Sequence, residues 1–106
     1  MIIPYVNSGQ MREIDRIMVE KYHITLEQMM ENAGRNLAIL ARSHFLSKDT
    51  LHKKVLVLVG SGGNGGGGLT AARFLHNWGA DVVVLLTKSI DELEGAVKHQ
   101  AQILIE

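Results

Sequence analysis

An apolar strand that runs directly into a glycine-rich segment constrains this chain more than any other feature. Val55–Val59 holds only Val and Leu, a pattern typical of a strand covered on both faces of a parallel sheet. Residues 60–68 then contain seven glycines, and a helix is predicted over Leu69–Trp78 with its stop at Gly79. A second apolar strand, Val82–Leu86, follows after a two-residue connection. Strand, helix and strand in this order predict a right-handed parallel βαβ unit.

Helical patterns lie on both sides of this unit. Ser8 is a predicted cap for a first helix over about residues 9–22. Thr25 and Gln28 have the spacing of a capping box, which predicts the start of a second, amphipathic helix. A final helix is expected from Asp91 onward, through Leu104. The predicted fold is α/β, a partial Rossmann-like domain with two N-terminal helices, a βαβ unit and a trailing helix.

Two strands make an unusually small parallel sheet. Sheets commonly contain about 5 to 6 strands, and parallel ones are normally covered on both faces. Open edges and faces invite pairing with other polypeptide. We therefore expect further sequence or a partner chain, such as a second copy in a homodimer, to complete the sheet.

Composition excludes several classes of protein. The 11 basic and 11 acidic residues give a formal net charge of zero, which argues against nucleic-acid binding because that requires a basic surplus. No apolar run approaches the roughly 20 residues that span a bilayer, so no membrane insertion is expected. Cysteine is absent, which removes disulfides and thiolate metal sites and fits a cytoplasmic location.

Side chains outside the glycine segment are expected to be structural. The five histidines show no ligand spacing, and His23 is interpreted as a turn residue. Asp15 and Glu31 are interpreted as helix-surface or polar packing residues in preference to catalytic ones. Four methionines at helical spacing are predicted to fill the core: Met11, Met18, Met29 and Met30.

The glycine segment is the feature most closely tied to chemistry. Gly60, Gly62 and Gly65 match the spacing G-x-G-x-x-G between a strand and a helix. Glycines let the main chain approach an anion at a helix N-terminus, so phosphate binding is favoured over a purely structural flexible turn. No Gly-Lys-Ser/Thr follows, which excludes the P-loop, and the second strand ends in Thr87–Lys88 without the acidic residue of ordinary dehydrogenases.

The order of these features resembles the NAD(P)H-hydrate epimerase family, the YjeF N-terminal domain. The resemblance rests on Asp15, on Met-Glu-Asn-Ala-Gly-Arg at 30–35, on the glycine segment and on Ala-Ala-Arg at 71–73. In that family the loop reads Gly-x-Gly-Asn-Asn-Gly-Gly-Asp-Gly. The resemblance spans essentially residues 1–106 but only about the first half of the family's domain, so the chain is expected to be a truncated domain.

The resemblance implies an isomerase that interconverts the R and S epimers of hydrated NADH or NADPH, with a bound potassium ion. Asn64 matches an asparagine that helps to hold potassium, and Gly65 and Gly66 match positions that line the substrate's phosphates. Gly63 and Gly67 stand in the same site, where the family has asparagine and aspartate. The family's catalytic residues belong to its second half, so no residue here is assigned as catalytic and the chain alone is expected to be inactive. The alternative is a non-catalytic half-domain of the same fold that binds a nucleotide or a protein.

Overall fold

The computed structural model describes residues 1–106 and contains the predicted βαβ unit. Strands β1 (Lys54–Val59) and β2 (Asp81–Leu86) form a two-stranded parallel sheet, joined by helix α3 (Gly63–Asn77). Lys54 pairs with Asp81 at one end of the ladder and Val59 with Leu86 at the other. Helix α3 ends where Gly79 adopts φ +94°, a conformation that favours glycine. The predicted α/β class and strand order are confirmed.

Both N-terminal helices begin with a capping box, although the first one starts earlier than predicted. Helix α1 spans Ser8–Glu20, and its cap is Asn7. The Asn7 Oδ1 accepts from the Gln10 amide at 2.8 Å, and the Gln10 Oε1 accepts from the Asn7 amide at 2.9 Å. The prediction of Ser8 as the cap was wrong because Ser8 would have Met11 at the third helical position, where no polar side chain could reach back.

Helix α2 spans Leu26–His44 and has the predicted cap. The Thr25 Oγ1 accepts from the Gln28 amide at 3.2 Å, and the Gln28 Oε1 accepts from the Thr25 amide at 2.8 Å. His23 lies in the preceding turn with φ +57° and is exposed, which agrees with its interpretation as a turn residue.

The glycine-rich segment is mostly helical, which differs from the prediction of a loop over residues 60–68. Only Gly60–Gly62 lie outside helix α3, and the remaining glycines form its first turns. Glycine has a poor intrinsic helix propensity, but most helical stability in proteins comes from tertiary packing. Packing of α3 against α2 and β1 therefore stabilises a helix that local propensity would disfavour.

The C-terminal region is interrupted, whereas one continuous helix was predicted. A short 3₁₀ helix spans Ile90–Glu92, and helix α4 begins only at Gly95 and runs to Ile105. Between them Leu93 is extended, with ψ 151°, and is 2 % exposed. The extended backbone turns the Leu93 side chain into the core, and burial of this apolar side chain compensates for the break.

The helices cover one face of the sheet and leave the other open. Alternate strand residues, including Val57, Val59 and Val84, pack into a core with residues of α2, α3 and α4. The opposite face carries four side chains that are between 54 and 73 % exposed: Leu56 and Leu58 on β1, and Val83 and Leu85 on β2. Within this chain the strands are thus covered on one face, not on both as their composition predicted. No helix is long and apolar enough to cross a membrane.

Candidate functional site

The start of helix α3 lies directly after the carboxyl end of strand β1. Gly62 is its cap and supplies no side-chain hydrogen bond. The Gly62 carbonyl accepts from the amides of Gly65 and Gly66 at 2.9 and 3.3 Å, while the amides of Gly63 and Asn64 donate to no backbone group. Free amides and the positive end of a helix dipole favour a negatively charged ligand.

Two of the five predicted site residues are buried inside the turn. A Cβ on Gly65 would lie 1.8 Å from the Gly60 carbonyl oxygen, and a Cβ on Gly66 would lie 2.5 Å from the Met30 Sδ. Both glycines are buried. Their lack of a side chain lets α3 pack closely on the strand end and on α2, so they shape the site from beneath.

The other three predicted residues open onto a cleft. Hypothetical Cβ atoms at Gly63 and Gly67 would meet nothing within 4 Å, and Asn64 is exposed between them. All three line a cleft of about 830 Å³ bounded by helices α1, α2 and α3. The structure therefore divides the predicted site into a surface set, Gly63, Asn64 and Gly67, and a supporting set, Gly65 and Gly66.

Helix α2 holds the glycine turn in place through three contacts whose partners were not predicted from the sequence. Met30 lies under Gly66, as described, and is 8 % exposed. Glu31 forms an ion pair with Arg73 of α3, which agrees with its predicted packing role. A Cβ on Gly34 would lie 2.5 Å from the Thr70 Cβ and 2.7 Å from the Gly67 carbonyl oxygen. The spacing of Met30, Glu31 and Gly34 along the sequence places them on neighbouring faces of one helix, and this spacing could have indicated that they contact the same neighbour.

Helix α1 forms the outer wall of the cleft. Asp15 is half-buried and lines the cleft with Arg12, although the sequence analysis interpreted Asp15 as a surface or packing residue and did not consider Arg12. Met11 and Met29 also line it, and Met11 is 44 % exposed. The prediction that these two methionines fill the core was therefore wrong, because no part of the chain covers that side of the cleft.

The lining of the cleft combines apolar and polar surface. Six of its 12 residues are hydrophobic, and the polar contribution comes from Arg12, Asp15, Asn64 and the glycine main chain. A mixture of apolar walls and a few oriented polar groups is typical of small-molecule sites. No three or more His, Cys, Asp or Glu side chains are grouped as a metal site.

A second cavity has a different character. It measures about 390 Å³, lies between α3, β2 and α4, and nine of its ten lining residues are hydrophobic. His76 is its one polar residue. This cavity offers few polar groups to orient a ligand, so the cleft beside α1 is the better candidate site for a polar ligand.

Comparison with known proteins agrees with the fold and the family that the sequence motifs indicate. Residues 26–106 match the family described as YjeF-related protein N-terminus. An NAD(P)H-hydrate epimerase of Dehalogenimonas lykanthroporepellens is 56 % identical over 72 residues, which are 68 % of this chain and 29 % of that protein. The bifunctional NAD(P)H-hydrate repair enzyme Nnr of Thermofilum pendens is 40 % identical over 98 residues, 92 % of this chain and 18 % of that enzyme.

A solved structure extends the comparison to three dimensions. The crystal structure of the yeast protein ynu0 superimposes with a TM-score of 0.77 and 35 % sequence identity, over 97 % of this chain and 44 % of the yeast chain. The present chain thus spans less than half the length of each of these relatives.

Proposed function

This chain belongs to the family of YjeF-related N-terminal domains, and from that premise we propose that its cleft binds the nucleotide of hydrated NADH or NADPH as part of an NAD(P)H-hydrate epimerase. The observation that carries the proposal is the opening of the α3 N-terminus, with the free amides of Gly63 and Asn64, into the cleft. The names of the relatives support an epimerase over a non-catalytic half-domain.

The substrate's diphosphate has a natural place at the start of α3. Gly63 and Gly67 present no side chain, so a phosphate can approach the main chain there. The two free amides and the helix dipole then stabilise its negative charge. Gly65 and Gly66 contribute indirectly, because their close packing fixes the position of the turn.

Potassium is proposed only as an ion to which Asn64 contributes one ligand. The Asn64 amide oxygen is of the right type and is exposed at the cleft, and no group of three or more His, Cys, Asp or Glu side chains accompanies it. The positive end of the α3 dipole also disfavours a cation. One amide oxygen does not make a complete potassium site, so the proposed site requires further oxygen ligands.

The proposal assigns binding, not proton transfer, to this chain. Epimerisation at the hydrated ring requires proton transfer by a positioned acid or base, and no side chain here is assigned that role. Gly63 and Gly67 also supply no amide or carboxylate to orient the substrate. We therefore propose that the chain alone has no epimerase activity.

The open face of the sheet is proposed to be covered in the working protein. Leu56, Leu58, Val83 and Leu85 form a contiguous apolar surface on paired strands, and such surfaces are commonly interaction sites. Either a second copy of the chain or another polypeptide that extends the sheet could cover it. Sedimentation velocity tests this, since a homodimer should lose its self-association when Leu58 is replaced by Lys.

The nucleotide site can be tested by blocking the cleft without disturbing the helix. Gly67→Leu places a side chain in open space and improves intrinsic helix propensity. We expect titration calorimetry with NADP to show binding at least about tenfold weaker than in the unaltered chain, a change of about 1.4 kcal/mol. Asn77→Leu, an exposed change at the other end of α3, is the matched control. Equal affinity of the two variants would contradict the proposed site.

A further inference from the structure

We propose that Arg12 and Asp15 of helix α1 are ligand-contacting residues of the cleft, Arg12 for a phosphate and Asp15 for a sugar hydroxyl. This inference rests on the proposed nucleotide site and assigns to it a second set of polar groups, which lines the same cleft as the glycine turn. Helix α1 lies outside residues 26–106, the part matched by the family model, so the assignment depends on the structure of this chain.

The charged side chains of α1 fall into two groups, one bonded within the helix and one that lines the cleft. Arg16 hydrogen-bonds Glu13 at 2.6 Å and also pairs with Glu20. The hydrogen bond from Arg16, and secondarily its positive charge, lower the pKa of the Glu13 carboxyl below its ordinary value. Glu13, Arg16 and Glu20 are therefore mutually satisfied charges, and none of them lines the cleft.

Arg12 and Asp15 face the cleft and satisfy no other group. Their separation of three positions would allow them to pair with each other, yet neither forms an ion pair or a side-chain hydrogen bond in the chain. Both instead line the cleft that holds Asn64 and Gly67. An unpaired cation and an unpaired, half-buried anion on one cleft wall are available for a ligand that carries complementary groups.

The signs of the charges decide which part of a nucleotide each residue contacts. Guanidinium groups bind phosphate oxygens through charge-assisted hydrogen bonds. A carboxylate repels a phosphate, but it accepts hydrogen bonds from ribose hydroxyls, as acidic residues do in dinucleotide-binding domains. The apolar lining from Met11 and Met29 offers adaptable surface for a flat ring. Gly67 has no carboxylate, and Asp15 supplies one in the same cleft.

The experiment compares the removal of a cleft-lining charge with the removal of a like charge of α1 that does not line the cleft. Asp15→Ala is matched by Glu13→Ala, and Arg12→Ala by Arg16→Ala, so each pair changes the net charge equally. The full chain is titrated with ADP-ribose and, separately, with inorganic pyrophosphate. For Asp15→Ala we expect about tenfold weaker binding of ADP-ribose, because a hydrogen bond to a charged group is lost, with pyrophosphate binding unchanged or tighter. For Arg12→Ala we expect both ligands to bind about tenfold more weakly.

The outcomes separate this inference from the proposed function. If the unaltered chain binds ADP-ribose and each cleft-lining variant behaves like its control, the assignment of Arg12 and Asp15 is wrong while the nucleotide site stands. Weakening of pyrophosphate by Asp15→Ala would also overturn the assignment, because it would indicate general damage to the cleft. If the unaltered chain binds neither ligand, the proposed function fails and this inference fails with it.

Discussion

Replacing Gly34 by alanine should destabilise the chain, although alanine is the better helix former. The added Cβ would lie 2.5 Å from the Thr70 Cβ and 2.7 Å from the Gly67 carbonyl oxygen. The Gly67 carbonyl oxygen belongs to the main chain and cannot rotate away, so α2 and α3 must separate. Overpacking of this kind costs about 1–3 kcal/mol, and the gain in helix propensity returns about 1 kcal/mol. We expect a net loss of up to about 2 kcal/mol in the free energy of unfolding.

Gly68→Ala provides the matched control. It also adds a Cβ inside a helix, but its nearest neighbours would be Val59 and Val57 side-chain atoms at 3.6 and 3.8 Å, which is ordinary contact. This variant should gain up to about 1 kcal/mol from propensity alone. Urea unfolding followed by circular dichroism measures both changes. If Gly34→Ala is as stable as Gly68→Ala, the close approach of α2 and α3 described here is incorrect.

Three further outcomes are expected. The unaltered chain should show no interconversion of NADPH-hydrate epimers above the spontaneous rate, as followed by chromatography, and clear activity would contradict the assignment of binding alone. Thr25→Ala should lower the free energy of unfolding by about 1 kcal/mol through loss of the helix cap, whereas the exposed change Asn77→Ala should have little effect; equal changes would exclude the cap as the cause. Gly79→Ala should cost more than Thr25→Ala, because φ is +94° and a Cβ would lie 2.9 Å from the Leu51 Cδ1; thermal unfolding that leaves Gly79→Ala the more stable variant would refute this.

Features set by local chemistry were predictable from the sequence. The strand pair follows from two apolar runs joined by a helix. The start of α2 follows from Thr25 and Gln28, because the side chain of each accepts a hydrogen bond from the main-chain amide of the other. The predicted phosphate-binding glycines lie at the start of the connecting helix. These elements depend on residues only a few positions apart, which is why pattern and spacing identify them.

Features that depend on distant contacts were not predictable in the same way. The glycine segment is helical because α2 packs against it, and that contact joins Gly34 to Thr70. The break before α4 arises because Leu93 enters the core. Asp15 belongs to the cleft only because α1 lines the same cleft as the start of α3, and no spacing within a single helix shows which neighbour it will meet.

The central claim is that a nucleotide binds at the start of α3, and backbone NMR of the ¹⁵N-labelled chain tests it most directly. Titration with NADP should shift the amide signals of Gly63 and Asn64 in a saturable manner, with accompanying shifts at Arg12 and Asp15. The signals of Val82 and Ala101, which line the apolar cavity on the other side of α3, should remain in place. Shifts centred on Val82 and Ala101, or no saturable shift at Gly63 and Asn64, would contradict the account.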